Sequence, residues 1–343
     1  MTACNRQWLL GSRPSSTLNL GHFEYREQTF VAPRLDPGQV LVRNLVFSCA
    51  PTIRNWMNDS PRSYRKSIAV GEPIVGPACS QVVSSEHPRF APGSLLIGVS
   101  RWEDYSVLEP DAAFAPVLEV PTGISAIDAL GVYGLNSLTA YFGLLQVGRA
   151  EAGETVVVSA AAGAVGSMAV QFAKIRGCRT IGIAGGKDKR QWLMNACGVD
   201  AAIDYKSEDV SAALARFAPD GVNVFFDNVG GELLQILVEH MAVHGRIAVC
   251  GQVSAYDGAT PAAGPRDMMR LVYQRLTIQG FVLGDFMAQV HAARAELMRW
   301  AEQGRLVRHE DVRDGFAALP AAFLDLFSGA NRGAVLVNIA PPY

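Results

Sequence analysis

The chain has 343 residues, 49% of them hydrophobic and 18% charged. That length favours two domains over one, and the composition excludes a disordered chain. With 30 basic against 32 acidic residues, a net charge of −2 and no basic run, nucleic acid is not an expected partner.

Near the start, Trp8–Gly11 is an apolar patch cut short by Arg13 and Pro14. It is too brief for a signal-peptide core, so export is not expected. Cys4, Cys49, Cys79, Cys178, Cys197 and Cys250 are scattered, with no C-x-x-C pair, which suits reduced thiols in a cytoplasmic protein. Up to about residue 125 the apolar runs are short and β-rich: Gln39–Phe47, Ser80–Ser84 and Ser94–Val99. Asp36-Pro37-Gly38 and Ala91-Pro92-Gly93 punctuate them as turns. An irregular module of short strands is expected over residues 1–125.

Beyond Pro121 strands alternate with helices. The expected pairs are Thr155–Ser159 with Val165–Ile175, Thr180–Ala184 with Lys187–Cys197, and Ala201–Asp204 with Asp209–Phe217. Val222–Asp227 with Glu232–Ala242, Arg246–Cys250, Leu276–Phe281 and a helix Phe286–Gln303 follow. Such alternation predicts right-handed crossovers and a parallel sheet over 126–305. In the tail, Gly333–Ile339 reads as a strand, and 306–343 is expected to return to the first module.

Between Thr155–Val158 and the following helix, Ala161, Gly163 and Gly166 occupy the three positions of a G-x-G-x-x-G fingerprint. A strand entering a helix N-terminus through side-chain-poor residues lets backbone N–H groups approach a pyrophosphate, and the helix dipole favours the negative charge. The same turn also serves close helix–strand packing. Thr155–Ala173 carries no charge, as a membrane span would, but its Ala, Gly and Ser content and the change of pattern at the turn favour a buried strand–helix unit. No membrane partner is expected.

NAD-selective units carry an acid about 20 residues past the glycines. Here that stretch reads Ala184-Gly185-Gly186-Lys187-Asp188-Lys189. The acid is absent directly after the strand, and Lys187 or Lys189 can neutralise a 2′-phosphate, so NADPH is expected rather than NADH.

From Gln39 to Ile339 the chain resembles the zinc-independent medium-chain dehydrogenase/reductases, and within them the prostaglandin reductase and alkenal double-bond reductase group. The motifs are LTAYFGLL (Leu138–Leu145), GETVVVSAAAGAVGS (Gly153–Ser167), GCRTIGIAGGKDK (Gly177–Lys189), DYK (Asp204–Lys206), DNVGGE (Asp227–Glu232), CGQVSAY (Cys250–Tyr256) and GAN (Gly329–Asn331). The resemblance implies an α/β fold, a Rossmann-type doubly wound parallel sheet beside a GroES-like irregular β domain. It implies that Gly163, Ala164, Val165 and Gly166 cradle the pyrophosphate, and that Lys189 with Tyr205 contacts the 2′-phosphate. Asn228 is implied near the nicotinamide ribose, with Cys250, Gly251 and Ser254 also on the cofactor. The backbone of Phe281, Val282 and Leu283 is implied at the carboxamide, and Asn331 is implied to reach the cofactor from the tail. A homodimer is implied as well.

Tyr256 is the expected catalytic residue. Hydride addition to an activated C=C puts negative charge on the conjugated carbonyl oxygen, and a phenol O–H aimed there, directly or through the ribose hydroxyl, stabilises it. No metal is expected: Cys49 stands near a zinc ligand's place, but Val70-Gly71-Glu72 lacks the histidine and no cysteine lobe exists. The expected reaction is therefore NADPH-dependent reduction of enals or enones. Quinone reduction on the same fold, or a non-catalytic NADPH-binding protein, are the alternatives. The first module departs from the group: Ala50-Pro51-Thr52-Ile53-Arg54 replaces its D-P-x-M-R, Asn136-Ser137 its Pro-Gly, and Ala334 a lysine. Of its aromatics, Trp56, Tyr64, Trp102 and Tyr105 are candidates for a pocket or for core.

Overall fold

The computed structural model describes residues 3–59, 63–257 and 264–343. The strands, in chain order, are β1 (Ala3–Leu10), β2 (Phe23–Phe30), β3 (Val40–Cys49), β4 (Val75–Ser85), β5 (Leu95–Arg101), β6 (Tyr105–Leu108) and β7 (Leu118–Glu119). Then come β8 (Thr155–Val158), β9 (Arg179–Ala184), β10 (Ala201–Asp204), β11 (Val222–Asp227), β12 (Met241–Val249) and β13 (Thr277–Gly280). Last are β14 (Glu310–Asp314) and β15 (Ala334–Asn338). Two compact units result: residues 1–135 with 310–343, and residues 136–309.

In the first unit a sheet runs β14-β15-β3-β4-β5-β7, with β6 also pairing β3, and β1-β2 form a separate ribbon. β3 is buried along nearly its whole length, as its β-branched run requires for a central strand. Its one interior amide, Asn44, is satisfied: Nδ2 donates to Glu103 O at 2.7 Å and Oδ1 accepts from Ser80 Oγ at 2.6 Å. The core here gathers Val40, Val42, Val82, Phe90, Leu96 and Val117. Elsewhere in this unit Trp102 is fully buried, stacked on Phe23 at 6.2 Å and edge-on to Phe323 at 5.8 Å. The tail supplies β15, which lies antiparallel to β3 and parallel to β14.

The second unit is a six-stranded sheet, β10-β9-β8-β11-β12-β13, with parallel pairing throughout. This is the doubly wound order, whose direction reverses between β8 and β11. Val157, Ile181, Ile203, Val222, Phe225 and Leu237 are buried in its core, each contributing about 1.5–3 kcal/mol of transfer free energy.

Two expectations shift. The helix expected over 232–242 spans Gly231–His240, and β12 starts at Met241 instead of Arg246. Met241 is buried opposite Val222, so pairing claims it for the strand. The helix expected from Phe286 begins at Val290, because Phe286 departs from helical backbone (φ −113°, ψ 16°) and stacks on Phe142 at 4.6 Å.

Candidate active site

The exits of β8 and β11, at the reversal of strand order, are tied together by side chains. Ser159 Oγ donates to Asp227 Oδ1 (3.0 Å) and accepts from the Asn228 backbone N–H (2.8 Å). Asn228 Nδ2 donates to Ser159 O at 2.7 Å. Asp227 is fully buried and also receives the N–H groups of Val229 (2.9 Å) and Gly230 (3.0 Å). Burial pushes its carboxyl up from the ordinary value, against those bonds, which pull it down. Ser159, Asp227 and their bridge were not singled out in the sequence. The only signal for them is a polar residue at the end of each strand.

The next exit hangs from the same point. The N–H groups of Cys250 (2.8 Å) and Gly251 (3.2 Å) donate to Asp227 O, and Val253 N–H donates to Asn228 O (3.1 Å). Ser254 Oγ donates to Val229 O at 2.6 Å. These bonds shape the turn that ends on Tyr256. Tyr256 Oη accepts from Gln252 N–H at 3.1 Å, a bond that uses a lone pair and not the hydroxyl proton. A Cβ at Gly251 would sit 2.8 Å from Tyr256 Oη, so glycine there leaves the phenol its place. The Cys250 thiol is pushed up to about 12 by burial, which makes it a poor nucleophile at neutral pH.

In the turn after β8, Ala160 has φ +46°. Ala161 N–H donates to Ile183 O and Gly163 N–H to Ala160 O, both at 2.9 Å. Gly163 is the N-cap of the helix Ala164–Ile175, whose first-turn N–H groups lack intrahelical acceptors. A Cβ at Gly166 would lie 2.3 Å from Ala160 O. The helix therefore approaches the turn closely only with glycine there. Alanine fits the first fingerprint position because β9 has Gly182 opposite it, where a Cβ would be 3.1 Å from that of Ala161.

At the end of β9, Gly186 has φ +97° and begins the helix Lys187–Asn195, with Lys189 in its first turn. Asp204 Oδ1 accepts the N–H groups of Gly186 (2.8 Å) and Lys206 (3.1 Å), and Oδ2 accepts from Ser207 Oγ (3.0 Å). The Gly186 bond is the main reason that this carboxyl lies below its ordinary value. Tyr205 is exposed. A Cβ at Gly185 would meet the Tyr205 ring and Lys206 Cε, each at 2.9 Å. Lys206, which the sequence does not single out for the 2′-phosphate, thus also lies beside this turn.

Phe281 is packed in an aromatic cluster, with Phe226 and Phe286 each 6.3 Å away. A Cβ at Gly143 would be 2.3 Å from Phe281 Cζ. That glycine opens a π-helical turn, Gly143–Val147, at the end of the helix Leu135–Phe142. The segment Phe281-Val282-Leu283 is held by this packing and by Val282 N–H donating to Asp285 Oδ2 (3.1 Å). Asn331 belongs to the first unit, where its Nδ2 donates to Gly333 O at 3.3 Å. Cys49 is buried in the first unit, which pushes its thiol up to about 12. Among the described residues no group of three or more His, Cys, Asp or Glu is placed to hold a metal ion.

A doubly wound sheet with small-residue turns and polar strand exits at the switch point defines a dinucleotide-binding protein, and the comparisons make it an oxidoreductase. Sequence profiles agree: "N-terminal domain of oxidoreductase" matches residues 6–116 and "Zinc-binding dehydrogenase" residues 164–303. The chain is 37% identical to the putative NADP-dependent oxidoreductase YfmJ of Bacillus subtilis, over the full length of both. It is also 37% identical to the NADP(+)-dependent 2-alkenal reductase of Nicotiana tabacum, over 88% of this chain and 87% of that one. The crystal structure of CurA in complex with NADPH from Vibrio vulnificus superposes with a TM-score of 0.89 at 33% identity, covering 98% of this chain and all of that one. The chain belongs to the medium-chain dehydrogenase/reductase family, in the group of NADPH-dependent alkenal and prostaglandin reductases.

Proposed function

We propose that this protein reduces the C=C bond of α,β-unsaturated aldehydes and ketones with NADPH, without a metal ion. The observation that carries the reading is the turn 250–256, which hangs from Asp227 and Asn228 and presents Tyr256 at the carboxyl ends of β11 and β12. The residues fit the cofactor by their own chemistry. The close approach at Gly166 and the first-turn N–H groups of 164–166 suit a pyrophosphate. Lys189, Tyr205 and Lys206 suit the 2′-phosphate, while Asp204, the nearby acid, is engaged by Gly186, Lys206 and Ser207. Asn228, Cys250, Gly251 and Ser254 would border the nicotinamide ribose, the backbone of 281–283 would meet the carboxamide, and Asn331 would come from the tail. When bound, NADPH supplies the hydride.

The chain's own part is to place the acceptor and to receive its charge. The Tyr256 hydroxyl donates toward the carbonyl oxygen as that oxygen gains charge, directly or through a ribose hydroxyl. The names of relatives point to the same substrates, as 2-alkenal reductase does. Incubation with NADPH and a panel of enals, enones and quinones, with product analysis, tests the proposal. Saturated aldehydes or ketones are the expected products. Hydroquinones alone would move the assignment to quinone reduction, and no consumption of NADPH by any acceptor would overturn it.

A homodimer is proposed through β13. Among the described residues this strand pairs only with β12, and it is exposed along its length. Met268, Met269, Val272, Tyr273 and Ile278 in and just before it are exposed as well. An open strand edge beside apolar side chains is a template for strand pairing between copies. Cytoplasmic location is proposed on the six free cysteines. No helix among the described residues is long and apolar enough to cross a membrane.

A further inference from the structure

The segment Ala50–Arg54, which departs from the group's pattern, leads into an aromatic cluster in the first unit. Trp56 ends the short helix Ile53–Trp56 and is 3% exposed. Phe114 packs edge-on to it at 5.7 Å and Tyr64 at 6.3 Å. Both are partly open to solvent, at 38% and 54% exposure. Thr52 Oγ1 lies 3.2 Å from Tyr64 Oη and steadies that ring. Over the cluster sits the Arg65 guanidinium, 5.0 Å from the Trp56 ring centre and 5.5 Å from that of Phe114.

Two donors in this cluster are buried and have no hydrogen-bond partner among the described residues: Trp56 Nε1 and Arg65 Nη1. No carboxylate among the described residues lies within ion-pair distance of Arg65; burial works against its charge, and Glu72 offsets this only from longer range. A buried donor without an acceptor costs about 1–3 kcal/mol, and more when charged. Stacking on aromatic faces offsets part of that cost for a guanidinium but gives the N–H groups nothing to bond. The missing group is an acceptor carrying negative charge, small enough to enter beside aromatic rings. A carboxylate meets these terms: it is planar, its oxygens accept from guanidinium and indole N–H groups, and a ring or alkene attached to it packs on Tyr64 and Phe114.

We propose that Trp56 and Arg65, walled by Tyr64 and Phe114, form a carboxylate-binding subsite, and that the protein's acceptor substrate carries an acidic group in addition to its activated alkene. The substrate part rests on the reductase reading; the binding part does not. It is tested by calorimetric titration of the full chain with sodium benzoate, benzyl alcohol and inorganic phosphate. Arg65→Met removes the charge, and Trp56→Phe keeps a ring while removing the N–H. Benzoate should bind the wild type, roughly ten- to hundredfold more weakly to Arg65→Met, and roughly tenfold more weakly to Trp56→Phe with its thermal unfolding little changed. Benzyl alcohol should not bind. Equal benzoate affinity in wild type and Arg65→Met, phosphate binding as tight as benzoate, or no benzoate binding (water as the only occupant) would each overturn the subsite.

A kinetic arm separates this proposal from the reductase reading. With NADPH, the wild type should prefer para-carboxybenzylideneacetone over its methyl ester in kcat/KM, and Arg65→Met should lower that preference roughly tenfold. If neither enone is reduced while benzoate binding still depends on Arg65, the reductase reading fails and the subsite stands. If both are reduced with the same preference in wild type and variant, the subsite fails and the reductase stands.

Discussion

The two units build their chemistry from different materials. In 136–309 the proposed site is mostly backbone: N–H groups at a helix start, carbonyls at strand exits, and glycines where a Cβ would collide. In the first unit the polar and aromatic groups are side chains drawn from distant positions, such as Asn44 with Ser80 and Glu103, or Trp56 with Tyr64 and Phe114. A backbone site tolerates little change at its glycines, whereas a side-chain site can be rebuilt residue by residue.

Four variants sharpen or break this contrast. The largest effect is expected for Tyr256→Phe, the one side chain on which the second unit's chemistry depends. Its kcat for an enone should fall roughly 10²–10⁴-fold, with NADPH affinity by calorimetry altered far less; unchanged turnover would remove Tyr256 from the mechanism. Gly166→Val places a branched side chain against Ala160 O and should weaken NADPH binding roughly ten- to hundredfold. Retained affinity would mean that the turn is packing alone.

Next comes Lys189→Ala, which should lower the preference for NADPH over NADH by roughly tenfold, measured as the ratio of dissociation constants. A constant ratio would shift the phosphate contact to Lys206.

The smallest effect concerns acid. Asp204 is held below its ordinary value by Gly186 N–H, then by Lys206 N–H and Ser207. Its stabilisation is therefore complete above the unfolded carboxylate value near about 3.9 and is lost as pH falls through the lower folded value. Asp204→Asn should be less stable than wild type in urea near neutral pH, with the gap closing in acid. A gap independent of pH would assign the loss to geometry instead of charge.

The sheet of the second unit was legible because each strand is an apolar run bounded by a turn, and the fingerprint because Gly163 and Gly166 stand at fixed spacing. Ser159 and Asp227 were not, since a lone serine or aspartate at a strand end looks the same whether or not it meets a partner 68 residues away. The helix start at Val290 was missed for a tertiary reason, the stacking of Phe286 on Phe142. In the first unit even less was visible. Trp102 proved to be core, and the Trp56–Arg65 cluster joins residues whose proximity no local pattern announces.

The placement of β15 has a consequence for biosynthesis. During translation residues 136–309 are made before residues 334–338, so the Val46–Cys49 stretch of β3, beyond the part paired with β6, waits for its partner strand. The first unit thus closes only after the second has been made, around a strand that follows it in the chain. Loss of residues 334–343 would remove β15 and part β14 from the five strands that remain around β3.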